Sequence, residues 1–226
     1  MLKTGLCIVL FALAAGCAPK QKPLTDYVNP LLGTATLWDS VDLGFKPTKR
    51  TWGAEVFPGS SLPNAMVQVS PVTKFHSGAG YQYEDSVIYG FTHTNKGHWN
   101  LCHIPLLPVT GTPTPGDYCS PFSHERESAA PGYYQVFLDR YGVDAQLSST
   151  LRCAFHKYTY PAGAAASLLA DLQRSNEHVR AWDIRKEGDN VFAGWQQTGE
   201  KMYFYAVANR PVTGIEPVVE GDREVR

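Results

Sequence analysis

After residue 25 the chain alternates apolar and polar positions in short runs, with turn-forming residues every eight to twelve positions. In Val143-Asp144-Ala145-Gln146-Leu147-Ser148 every second residue is apolar, which buries one face of a strand and wets the other. Tyr134, Val136 and Leu138 share one face of a second run, and Asp139 to Gly142 supplies the turn between the two, predicting a hairpin. The same pattern predicts strands over 65–69, 86–91, 104–109, 151–160, 167–172, 179–185, 190–196 and 201–208. Valine, tyrosine and phenylalanine are frequent in these runs, as a pleated, partly buried surface requires. No helical period competes with them. Residues 34–55 and 113–127 fit neither pattern and read as long loops, where binding residues tend to sit on a rigid scaffold. The expectation is a mainly β chain: a large antiparallel sandwich or a barrel.

The first residues interrupt that reading. Lys3, an apolar run from Cys7 to Ala15, and Ala14-Ala15-Gly16 before Cys17 have the layout of an export signal. The run is too short for a bilayer, which needs about 20 apolar residues. Leu13-Ala14-Ala15-Gly16-Cys17 resembles a bacterial lipobox, although Ala14 stands where leucine is commonest. The expectation is a lipoprotein signal over 1–17, lipidation of Cys17, a tether over 18–25 and one domain over 26–226. That places the chain on a bacterial membrane, facing the periplasm or the cell surface. An ordinary cleaved signal with an incidental cysteine is the alternative.

Hydrophobic residues make up 43% and charged residues 18%, enough for a packed core. A formal net charge of −1 supplies no field to attract nucleic acid, which is not expected as a partner. Cys102, Cys119 and Cys153 remain after the signal, with no CxxC spacing, so zinc is not supported. One disulfide and three buried thiols both stay open.

Candidate chemistry concentrates in residues 90–103, where Thr92, His93, Thr94, Asn95, His98, Asn100 and His103 surround Trp99. Sugars present hydroxyls at their edges and C–H groups on their faces, so donors and acceptors beside an indole suit a glycan. His93, His98 and His103 are spaced by five, which does not bring them to one face of a strand or helix, and no metal site is expected. A glycosidase needs two carboxyl groups. Glu55, Glu84, Asp85, Glu125 and Glu127 lie in polar stretches and read as solvated or turn-capping, so no catalytic residue is assigned. Tyr133 or Tyr134 reads as a core ring with a hydrogen-bonded tip, and His156 as a structural residue of its strand.

An ordered series of phrases carries more information than any of these alone. It runs Tyr27-Val28-Asn29-Pro30-Leu31-Leu32-Gly33-Thr34, Phe57-Pro58-Gly59, Met66-Val67-Gln68-Val69-Ser70-Pro71, Gly80-Tyr81-Gln82-Tyr83 and Gly90-Phe91-Thr92-His93-Thr94. It continues with Phe122-Ser123-His124-Glu125, Pro131-Gly132-Tyr133-Tyr134 and His156-Lys157-Tyr158-Thr159-Tyr160-Pro161. This order resembles the amino-terminal domain of glycoside hydrolase family 92, the calcium-dependent exo-acting α-mannosidases.

The resemblance implies a galactose-mutarotase-like supersandwich, a mannoside glycan as ligand, and calcium and an inverting reaction in the intact enzyme. It also implies that a helical toroid holds the catalytic acid and base; the chain reaches Arg226 without one, which makes a non-catalytic fragment the expectation. His93 matches the family's Gly-Phe-Ser-His-Thr motif. Phe75 stands where the family often has a pocket tryptophan, and the match weakens after Thr94. His93, Asn95, Trp99, Phe75 and Tyr81 are thus expected at the substrate or at the interface with the toroid. Trp38 and Trp52 read as core or interface residues within a long insertion. An independent lipid-anchored carbohydrate-binding module is the alternative function.

Overall fold

The computed structural model describes residues 21–36, 55–96, 100–220 and 223–225. Every strand pairing among them is antiparallel. The predicted hairpin is present: Tyr133–Leu138 pairs with Val143–Ser149, with Leu138 opposite Val143. Glu127–Ala130 and Ala154–Thr159 complete a four-stranded sheet on either side of it.

A five-stranded sheet lies against this one, built from Ser60–Ser61, Gln68–Val72, Gly90–Thr92, Leu106–Thr110 and Ala166–Ala170. Val69, Phe91, Leu107 and Val109 meet Tyr134, Val136, Leu138, Val143, Ala145 and Leu147 in the main core. Leu106 points the other way, to a second cluster with Ile104, Leu172, Trp182, Ile184, Met202 and Phe204. That cluster seats a third sheet, Ala181–Gly188, Val191–Gln197 and Lys201–Val207, on the back of the second. Being covered on both faces explains why Leu106–Thr110 reads as an unbroken apolar run rather than an alternation. The sandwich is therefore three layers thick, and of the sandwich and the barrel that the pattern left open the chain forms the sandwich.

Two close approaches fix the phrases that pattern alone could not interpret. A Cβ on Gly59 would lie 2.0 Å from the Val69 carbonyl oxygen, so only glycine lets Phe57-Pro58-Gly59 enter the sheet. Gly80, at φ +87, would place a Cβ 2.7 Å from Cys102 Sγ. The run 86–91 differs from its expected single strand. Val87–Ile88 pairs with Ser120–Pro121, whereas Gly90–Thr92 pairs with Gln68–Val72, so the chain changes partners at Tyr89. Within the long segment 113–127, Ser120–Pro121 and a 3₁₀ turn at His124–Arg126 are ordered elements, the turn capped by Ser123 accepting from Glu125 N. Of the other long loop, residues 37–54 lie outside the described residues, with Trp38 and Trp52 among them. Cys17 and Trp99 lie outside them as well. No helix among the described residues is long and apolar enough to cross a membrane. Cys102 is buried, Cys119 half-buried and Cys153 exposed, and all three are free.

Candidate functional site

Among the described residues lies an open cleft of roughly 460 Å³, lined by Thr73, Lys74, Phe75, Glu84, Asp85, Ser86, Val87, Tyr89 and Arg174. Three separate stretches build it. Thr73 follows strand Gln68–Val72, and its backbone N–H donates to the Gly80 carbonyl at 2.8 Å, folding the chain back on itself. Its hydroxyl donates to Asp85 Oδ2 at 2.9 Å and accepts from Gln82 N at 2.9 Å, which fixes the 81–85 wall against the 73–75 wall. Glu84 accepts from Thr36 N at 2.7 Å, tying the amino-terminal turn to the same wall.

Phe75 and Tyr89 form the aromatic side, their ring centroids 6.0 Å apart and tilted by 57°. Arg174 lies 5.6 Å from the Tyr89 ring and 5.5 Å from that of Tyr118, and its Nε is 3.3 Å from Asp171 Oδ2. Asp171 also accepts from the Tyr118 hydroxyl, and its burial pushes the carboxyl above its ordinary range. The guanidinium is thus held at the rim between two rings and a carboxyl group. Rings, a fixed cation, an exposed lysine and hydroxyl-rich walls form a surface able to hold a polyol through hydrogen bonds and C–H contacts.

Of the residues expected at the substrate or the interface, Phe75 lines this cleft, while Tyr81, His93 and Asn95 lie elsewhere and Trp99 is outside the described residues. Tyr81 is fully buried, and its hydroxyl donates to Glu127 at 2.8 Å. Asn95 is buried too: its Nδ2 donates to the Gln68 carbonyl at 2.6 Å, and its Oδ1 accepts from Thr92 at 3.0 Å. His93 and His156 meet across the two main sheets, Nε2 to Nε2, at 3.0 Å. His93 Nδ1 faces the Ile104 carbonyl at 2.8 Å, so that nitrogen carries the proton. His93 Nε2 therefore accepts from His156, whose Nδ1 accepts in turn from the Tyr158 hydroxyl at 2.7 Å. Every donor in this series has an acceptor while both rings are neutral. Burial holds His93 down to about 4, and burial followed by the neighbouring His93 holds His156 well below the ordinary histidine range.

His103, at the end of the same stretch, lies between Thr94 Oγ1 at 2.8 Å and Thr198 Oγ1 at 2.9 Å, with Thr198 donating to Glu177 at 2.5 Å. Leu101, Cys102 and Ile104 take φ values of 65°, 60° and 54°, a conformation that costs roughly 1 kcal/mol or more for each such residue. Ser175 Oγ and Asn176 N donating to the Leu101 carbonyl, and Ile104 N donating to Gln196 Oε1, hold the strained turn in place.

Glu127 departs from its expected solvated state. Its side chain has no exposed surface, and it accepts from Tyr81, from Tyr134 at 2.6 Å and against His124 Nδ1 at 2.5 Å. Three of the sequence phrases thereby converge on one carboxyl group. Glu127 faces the core because it opens strand Glu127–Ala130 opposite Val136. Cleft residues Lys74, Tyr89 and Arg174 escaped sequence reasoning; Tyr89 lay in a predicted strand, and nothing local marks Arg174. Among the described residues no three His, Cys, Asp or Glu side chains are placed to hold a metal ion. Glu84 and Asp85 adjoin in the cleft, and both accept hydrogen bonds there.

Comparison with known proteins gives this geometry a context. The sequence profile of the glycosyl hydrolase family 92 N-terminal domain matches residues 27–225. No curated protein matches the chain. Among solved structures, it is similar to the family GH92 α-mannosidase BT3965 from Bacteroides thetaiotaomicron, at 27% identity and a TM-score of 0.73 over 87% of this chain. The same mannosidase in complex with mannoimidazole gives 28% identity and a TM-score of 0.75 over 90% of this chain. The GH92 family glycosyl hydrolase ccman5 gives 25% and 0.64 over 83%. The chain spans only 26 to 27% of these neighbours' own length.

Proposed function

This chain belongs to glycosyl hydrolase family 92 through that family's N-terminal domain, and from that membership we propose that it forms a carbohydrate-binding wall of an exported α-mannosidase. The observation that carries the reading is the match over residues 27–225, joined to a structural neighbour solved with mannoimidazole bound. The cleft supports it with rings from Phe75 and Tyr89, the fixed Arg174, and hydroxyl and carboxyl groups from Thr73, Glu84 and Asp85. In this reading the chain orients a mannoside, while the leaving-group acid, the base and calcium belong to the whole enzyme. Export and anchoring through Cys17 are part of the same proposal.

Titrating mannoimidazole into isotopically labelled chain tests the cleft. Resonances of Phe75, Tyr89 and Arg174 shift together, and a glucose-configured analogue moves them less. If they stay still at millimolar sugar, the cleft is not the binding wall. Mannose release by this chain alone in calcium, abolished by one Glu or Asp substitution, would contradict a purely orienting role. Anchoring predicts that lipid label enters the exported chain and is lost in Cys17→Ala.

A further inference from the structure

Strand Lys201–Val207 is apolar on both faces. Met202 and Phe204 point into the cluster beneath the third sheet. On the outer side Tyr203, Tyr205 and Val207 are 72%, 66% and 65% exposed. Pairing sets half-buried Trp195 beside Tyr203, buried Ala193 beside Tyr205 and half-buried Val191 beside Val207, so the exposed rings and Val207 stand on an apolar floor. A strand with apolar residues in both registers is one that is covered on both sides, and a contiguous exposed apolar face marks an interaction surface.

The charges around the patch limit what it fits. Arg185 is taken up by Asp183 at 3.2 Å and Glu187 at 2.6 Å, and Lys201 Nζ lies 3.7 Å from the Trp195 ring centroid. These side chains, Arg185 and Lys201 against Asp183 and Glu187, sum to no net charge, so they form no cationic patch to draw a phosphate, an acidic chain or a membrane headgroup. Exposed tyrosines beside a half-buried tryptophan, with charges that balance, match the centre of a protein–protein interface. The neighbours of known structure have chains between three and four times as long as the stretch matched here, since that stretch is 26 to 27% of each.

We propose that the outer face of this sheet, centred on Tyr203, Tyr205 and Val207 beside Trp195, is the docking surface for the polypeptide that the longer relatives carry beyond the matched stretch. The proposal rests on the reading of the chain as part of a larger enzyme, but it does not require the cleft to bind mannosides.

Hydroxyl-radical footprinting separates the possibilities, with exposed Tyr27 and buried Tyr134 as internal references. In the chain alone Tyr203 and Tyr205 oxidise like Tyr27. Fused to the remaining part of the Bacteroides thetaiotaomicron α-mannosidase, they fall to the level of Tyr134, and Tyr203→Glu with Tyr205→Glu restores reactivity at Trp195. The intact relative gives a second measurement that needs no fusion: the strand aligned with Lys201–Val207 is shielded there. Oxidation of that strand at the exposed rate, in the fusion or in the intact relative, overturns the proposal. So does protection in the chain alone that grows with its concentration, which means a second copy, or protection by added mannan, which means a glycan. Shielding is read without sugar, so a silent mannoside titration beside a shielded strand rejects the cleft and keeps the docking face.

Discussion

Strands Tyr133–Leu138 and Lys201–Val207 are both rich in aromatic and aliphatic residues, yet they stand in opposite surroundings. In the first, Tyr134, Val136 and Leu138 are fully buried, and the one polar tip among them ends on Glu127. In the second, the tyrosines point into solvent, with their backs to a small secondary cluster. Strand Ala154–Thr159 falls between them: its inward His156 and Tyr158 are half-buried and joined to His93 across the two sheets. Alternation therefore reports which residues share a face. What covers that face is decided by sheets distant in sequence.

The sharpest way to break the comparison is to remove the carboxyl group beneath Tyr134. Glu127→Ala strands two buried phenols and the ring of His124, and the expected loss is about 4 kcal/mol by urea unfolding. Glu127→Gln keeps the volume and recovers part of it. A loss in Glu127→Ala no larger than that of a surface substitution would mean that the hub contributes nothing to the fold.

The intermediate strand is tested by acid. The folded-state pKa of His93, about 4, lies below its ordinary 6.5, so the unfolded chain binds protons that the folded chain does not. Stability is complete above the unfolded value and falls as pH drops from 6.5 toward 4, by up to about 3 kcal/mol for this one residue. His156 acts in the same direction. Unfolding curves for the parent chain and His156→Phe, taken across that range, check the sign, the variant showing the shallower slope. A parent whose stability rises on acidification through this window would contradict the neutral histidine pair.

These effects show which features the sequence could carry. Strands were legible because period two is local: the hairpin joining Tyr133–Leu138 to Val143–Ser149 needs only the turn between them. Glu127 was not legible, because the donors that make its burial tolerable come from Tyr81, 46 positions away, as well as from Tyr134 nearby. The cleft shares this difficulty, since Arg174 reaches Tyr89 and Phe75 only after the chain has crossed two sheets. Phe75, noted for its place before Gly80-Tyr81-Gln82-Tyr83, lines the cleft, whereas Tyr81, from that phrase, and Asn95, from the polar stretch 90–103, are buried. A phrase shared across a family marks scaffold as readily as site, and here Gly59, Tyr81, Tyr134 and His156 are scaffold.

Two paired substitutions give the smaller effects. Tyr134→Phe removes one donor from Glu127 while leaving Tyr81 and His124, and the expected cost is about 1.5 kcal/mol. Tyr205→Ser takes away a ring that is 66% exposed, and the expected change is within about 0.5 kcal/mol. Both are read from the same denaturant titration at neutral pH. The difference between them is the quantity of interest, because both positions are tyrosines in strands rich in aromatic residues. A Tyr205→Ser loss equal to that of Tyr134→Phe would mean that the outer face is already packed in the isolated chain. The contrast between the two strands would then vanish, and with it the open surface offered to a docking polypeptide.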